Sequence, residues 1–142
     1  MLSERVTVIT VTHNGSAVIG NMLASLPAKV PLVVVDNASQ DNTLEIVGRL
    51  RPDAKIHRNS VGLGYGNAMN LGLKGITTEF ALLINPDTTV MPGAIDRLVE
   101  AAGAYPGAAL IGPKVLNSDG SVELSHDVEI HKRRFYGRRD LE

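Results

Sequence analysis

At 142 residues, with 44% hydrophobic and 20% charged side chains, the chain has the size and composition of one folded domain with a substantial core, which excludes general disorder. Its 14 Lys and Arg against 15 Asp and Glu leave a net charge of -1, so no nucleic-acid partner is expected and any ligand must be met by a local site. The absence of cysteine excludes disulfides, thiolate zinc sites and a cysteine nucleophile, and no apolar run approaches the roughly 18 residues that span a bilayer.

The opening MLSERVTVIT lacks a basic stretch followed by a long apolar core, so the expectation is a cytoplasmic location, with the inner face of the membrane as a peripheral site. Next come alternating strand and helix patterns. VTVITV from Val6 is a β-branched run, followed by a helical stripe over 17–26 formed by Val18, Ile19, Met22, Leu23 and Leu26. PLVVVD from Pro31 is the second strand; Leu44, Ile46, Val47 and Leu50 mark the second helix, with Asp41 expected as its N-cap and Pro52 just past its end. AKIH from Ala54 is a weaker strand, followed by a glycine-laden helix over 64–73. FALLIN from Phe80, a helix over 92–104 with Pro near its first turn, and a fifth strand, AALIGPKV from Ala108, complete the series. Strands apolar on both faces and alternating with helices predict an α/β fold: a Rossmann-like, mostly parallel sheet flanked by helices. The α/β domain is expected over residues 1–116, with 117–142 a charged tail carrying a hairpin or an arm.

In such a sheet, ligands bind at the carboxyl ends of the strands. The strands run out into polar loops there: THNGS, DNASQD, RNSVGLGYGN and NPDTT converge on one rim. Each loop also has a plainer reading. Asn14-Gly15 is a turn signal, Ser39 and Asp41 suit Asx turns and a cap, and Asp87 before Pro92 suits an Asx turn. Asp36 is harder to explain structurally, because a carboxylate closing the run LVVV needs hydrogen-bond donors, and a ligand ring N–H would supply one. Gly62, Gly64 and Gly66 are spaced GxGxG, with Asn67 where the dinucleotide fingerprint requires glycine, and the loop comes after the third strand pattern rather than the first. Those glycines either let a ligand approach the backbone or pack a helix tightly on the sheet. Asp87 could serve as the single carboxylate that holds magnesium when a diphosphate completes the coordination. HDVEIH, from His126 to His131, fits no zinc spacing and reads as solvated surface, and the basic cluster from Lys132 to Arg139 as surface able to touch phosphate or lipid. Thr12-His13-Asn14 after the first strand argues against a phosphoacceptor signalling domain, which needs an acidic pair there.

Taken together, VTVITVTHN, VVVDNASQDNT, RNSVGLGYGNAMNLGL and ALLINPDTTVMPGAIDRL, in this order, resemble the nucleotide-sugar-binding half of family 2 glycosyltransferases, particularly the rhamnosyltransferase-like branch, over about residues 5–116. The resemblance implies the glycosyltransferase A-type fold and a UDP- or dTDP-linked sugar donor. Thr12 and Asn14 then line the nucleotide pocket, Asp36 accepts from the pyrimidine ring N–H, and Asn59, Gly62, Gly66 and Asn70 lie under the nucleotide and sugar. Asn85-Pro86-Asp87 stands where the family has Asp-x-Asp, making Asp87 the ligand to Mg²⁺ or Mn²⁺ with Asn85 beside it. The implied reaction is metal-assisted, inverting transfer of the sugar to an acceptor hydroxyl of a glycan or lipid-linked saccharide in cell-surface polysaccharide synthesis. The family's catalytic base lies beyond the matched motifs, so no residue is assigned to it. The alternative expectation is a truncated, noncatalytic donor-binding or assembly module, forming a homodimer over the apolar surface that a missing half would cover.

Overall fold

The computed structural model describes residues 2–123. The elements run in the order 3₁₀ turn (Leu2–Arg5), β1 (Val6–Thr12), α1 (Ile19–Ser25), β2 (Leu32–Asp36), α2 (Thr43–Leu50), β3 (Lys55–Arg58), α3 (Tyr65–Leu73), β4 (Phe80–Ile84) and α4 (Ala94–Ala104). The four strands form one parallel sheet in the order β3-β2-β1-β4. Each parallel crossover carries a helix, as the strand–helix alternation predicts.

β1 and β2 are buried along their whole length, and their side chains divide between two cores. Val6, Val8, Leu32 and Val34 pack against Ile19, Met22 and Leu23 of α1, Val47 of α2, and Ile95 and Val99 of α4. On the opposite face Ile9, Val11, Val33 and Val35 meet Ala68 and Met69 of α3. Strand side chains alternate between faces, so a β-branched run apolar at every position is what a centrally placed strand requires.

The chain moves from β1 to β2 to β3 in one direction and then returns to the far side of β1 for β4. That reversal places a topological switch point between β1 and β4, and the carboxyl ends of all four strands lie on one rim.

Three expectations need correction. AALIGPKV from Ala108 forms no strand: Leu110 is 91% exposed, and Gly112-Pro113 interrupts the run, Pro113 having no N–H to give to a ladder. β4 is not covered on both faces. Leu83, which pairs with Ile9 and so faces the α3 side, is 46% exposed, because α3 packs on β1 and β2. Asp41 is not the N-cap of α2, since Asn42 holds that position; the Asp41 carboxylate accepts the Thr43 N–H from one residue further out (3.1 Å).

Two compact units are distinguished, one ending at Ile111 and the other beginning at Gly112. Within the second, Leu116 and Val122 form an antiparallel bridge closed by Asn117 N–H to the Ser121 carbonyl (2.9 Å). The His126–His131 motif and the basic cluster from Lys132 lie outside the described residues.

Candidate nucleotide-sugar site

The predicted site residues fall at the carboxyl ends of the strands or in the loops that follow, except Gly66 and Asn70, which lie within α3. Thr12 ends β1 and Asp36 ends β2, paired in register, and Asp36 is in turn paired with Arg58 at the end of β3. Thr12, Asp36 and Arg58 therefore form a row across three strands, on the face that carries Val8 and Val34.

Asp36 is completely buried. Its Oδ2 accepts the Ser39 N–H (3.3 Å), and Arg58 Nε lies 4.0 Å from the same oxygen. Oδ1 has no partner, nor has the buried Thr12 Oγ1. A carboxylate oxygen left in this state costs folding free energy unless a further donor reaches it. Ser39 and Arg58, its two polar neighbours, line a cleft of about 430 Å³ together with Ala38, Gln40, Asn59 and Ser60. Ala38 adopts φ 68°, a left-handed conformation strained for a residue with a Cβ, in the turn directly after Asp36.

The loops around the cleft are tied together by side chains. Asn14, at φ 49°, donates its backbone N–H to Ser39 Oγ (2.9 Å) and accepts the Gln40 N–H on Oδ1 (2.8 Å). Its polar groups thus clamp the β2–α2 loop, and its link to the site is through that loop. Gly15 N–H donates to Thr43 Oγ1 (2.9 Å), and a Cβ on Gly15 would lie 2.4 Å from Thr12 Oγ1, so the β1 loop closes tightly over Thr12 only with glycine there. Asn59 donates its backbone N–H to the Asp36 carbonyl (2.9 Å) and its side-chain amide to Asn37 Oδ1 (3.2 Å). Asn37 Oδ1 also accepts the Leu63 N–H (2.8 Å), which pins the start of the glycine-rich loop.

Within that loop the two readings of the glycines separate. A Cβ at Gly62 or Gly66 would meet nothing within 4 Å, so no packing among the described residues demands glycine there, and space remains for a ligand to approach the backbone. Gly64 is required by its φ of 75° at the N-cap of α3. Tight packing on the sheet falls to Gly72, where a Cβ would sit 2.5 Å from Ile9 Cγ2. Asn70 is exposed on α3, beside the buried Met69.

At the switch point, Asn85 and Asp87 come directly after β4, and both are exposed. Tyr65 OH donates to Asn85 Oδ1 (2.9 Å), joining the glycine-rich loop to the β4 loop. The Asp87 carboxylate remains as a hard oxygen donor at the rim. No cluster of three His, Asp or Glu side chains occurs among the described residues, so an ion held by Asp87 would need most of its ligands from elsewhere.

Sequence reasoning misses Asn37, Arg58 and Tyr65, because each takes its role from a neighbour on another segment. For Arg58 the available signal is its position closing the weak strand, next to Asn59.

The model of the family described as Glycosyl transferase family 2 matches residues 7–141. The N-acetylglucosaminyl-diphospho-decaprenol L-rhamnosyltransferase of Mycobacterium tuberculosis is 28% identical over 136 residues, covering 85% of this chain and 44% of that protein. Staphylococcus aureus TarS 1-349 in complex with UDP-GlcNAc superposes with TM-score 0.62 at 28% identity, over 72% of this chain and 31% of that one. Mannosyltransferase PcManGT from Pyrobaculum calidifontis, in complex with GDP-Man and Mn²⁺, gives TM-score 0.63 at 28% identity, over 80% of this chain and 36% of that one. The chain thus spans less than half the length of these relatives.

Proposed function

The chain belongs to glycosyl transferase family 2, and from that premise we propose that it binds a pyrimidine nucleoside-diphosphate sugar with a divalent ion and serves sugar transfer to an acceptor hydroxyl. The observation that carries this reading is the buried, unpartnered Oδ1 of Asp36, whose polar neighbours Ser39 and Arg58 line the cleft at the ends of β2 and β3. With Oδ2 already accepting from Ser39, one acceptor remains for one ring N–H. Uracil and thymine present a single such donor. Guanine presents an N–H and an amino group side by side and is best met by two free carboxylate oxygens.

The base occupies the β2–β3 side of the rim, and the diphosphate runs toward the switch point at β1 and β4. There the glycine-rich loop allows close backbone approach, and Asp87 is the residue that would hold the ion. Mg²⁺ or Mn²⁺, when bound, supplies positive charge to the departing diphosphate. Asn85, held by Tyr65, sets the position of the loop that carries Asp87. In the transfer, the acceptor oxygen attacks the anomeric carbon from the face opposite the leaving group. The bond to the phosphate oxygen breaks, the nucleoside diphosphate leaves with the electron pair, and the hydroxyl proton passes to a carboxylate base. A lipid-linked saccharide is the acceptor class, as the name of the mycobacterial relative suggests.

Calorimetric titration of UDP and dTDP into the 142-residue chain, with and without Mg²⁺ or Mn²⁺, tests the proposal. Binding is expected to strengthen with the ion. Asp87→Ala should abolish that strengthening, and Asp36→Asn, which places an amide donor where an acceptor is needed, should weaken UDP at least about 10-fold. Metal-independent binding that neither substitution alters would refute the reading.

A further inference from the structure

We infer that Tyr65 is a positioning residue for the turn that carries Asp87, and that Asn85 acts as its tether instead of as a ligand to the ion; this rests on the ion-assisted donor binding proposed above. Asn85 to Thr88 form a turn closed by the Thr88 N–H donating to the Asn85 carbonyl (3.1 Å), and Asp87 is its third residue. Asn85 and Asp87 are both exposed, so burial does not hold the turn in place. Among the described residues, one hydrogen bond reaches it from another element: Tyr65 OH donates to Asn85 Oδ1 (2.9 Å). The next tie lies past the turn, where Ser25 Oγ accepts the Val90 N–H (3.0 Å).

Tyr65 starts from a fixed point. It is the first residue of α3, where the Gly64 carbonyl accepts the Ala68 N–H (3.1 Å) and Ala68 and Met69 are buried against the sheet. α3 packs on β1 and β2 and leaves Leu83 of β4 46% exposed, so helix packing lends no support to the segment that follows β4. The Tyr65 hydroxyl makes the connection that packing does not. Two other roles for Asn85 compete with this one. As a ligand it would offer the ion Oδ1, because the amide nitrogen is a donor, and that oxygen already accepts from the phenol. As a mere surface residue it would share with Tyr65 a hydrogen bond of no consequence to binding. The readings part at the ion: a turn free to move must be ordered when the ion binds, which weakens the ion's hold, whereas a tethered turn is ordered beforehand.

The test is calorimetric titration of UDP, with and without Mn²⁺, into the wild-type chain, Tyr65→Phe, Asn85→Ala and the double variant, with circular dichroism confirming that each folds. Tyr65→Phe removes only the hydroxyl. It should cut the strengthening of UDP binding by Mn²⁺ roughly 3- to 10-fold while changing metal-free UDP binding by less than about 2-fold. Asn85→Ala should cut the strengthening by a similar factor and the double variant by no more, since the two residues act through one bond. Equal weakening of metal-free and metal-dependent binding by Tyr65→Phe would mark a general structural support and overturn the assignment. A loss with Asn85→Ala that Tyr65→Phe does not share would make Asn85 a ligand, and losses that multiply in the double variant would make the two residues independent; either overturns the inference alone. A wild-type chain whose UDP binding Mn²⁺ does not strengthen overturns it together with the ion-assisted reading.

Discussion

The residues at the rim divide into those that hold the loops and those left without partners. Asp41 belongs to the first group. The Thr43 hydroxyl and the Ser16 N–H hydrogen-bond its carboxylate, Thr43 contributing most, and hold its pKa well below the ordinary carboxylate range although the side chain is exposed. A carboxyl whose folded pKa is depressed stabilises the fold fully above its unfolded value, about pH 4, and that contribution drains away as the pH falls from there toward the folded value. Asp41→Asn should therefore lower the thermal midpoint by a constant amount between pH 7 and pH 5, and the gap to wild type should narrow below about pH 4. Scanning calorimetry across that range checks it; a gap that persists unchanged to about pH 2 would show that the ionised carboxylate is not what ties β1 to α2. Asp36 and Thr12 belong to the second group, with buried oxygens that the fold does not satisfy. Polar groups retained at such a cost are where a ligand has most to offer.

Among the elements, α3 shows best how the sheet and the site are coupled. It covers the Ile9, Val11, Val33 and Val35 face with only nine residues, and its last turn approaches the strands so closely that Gly72 leaves no room for a methyl group. Gly72→Ala would force Ile9 and Val35 apart and should cost about 1–3 kcal/mol, measured by urea unfolding. If α3 simply lifts without loss of stability, the close packing is not what fixes the glycine-rich loop at its start. The element pattern was largely legible because β1 and β2 are continuous β-branched runs and helix stripes such as Ile19, Met22 and Leu23 pack as their spacing demands. Two apolar runs misled. FALLI is a strand whose Leu83 is left partly uncovered, and AALIGPKV carries the composition of a strand with a glycine-proline break inside it. Hydrophobicity marks a capacity to be buried, while topology decides what lies there to bury it.

For the whole molecule, the reversal of strand order gathers loops distant in sequence onto one rim, with the Asp36 cleft on one side of β1 and the Asn85-Asp87 loop on the other. The candidate site was legible to the extent that one residue announces its environment. Asp36 closes an apolar run, and Asn85-Pro86-Asp87 ends another. Arg58 and Asn37 were not legible, because their roles depend on register between β2 and β3 and on a loop contact 26 residues away. On the proposed reading, this rim binds a pyrimidine nucleoside diphosphate along the line from β3 to β4. Amide chemical-shift mapping by NMR, titrating UDP and Mg²⁺ into the labelled chain, tests it most directly. Saturable shifts are expected at Asp36 to Ser39, Arg58 to Gly66 and Asn85 to Asp87, with the amides of α4 beyond its first turn unmoved; shifts confined to other surfaces, or none at all, would rule out binding at this rim.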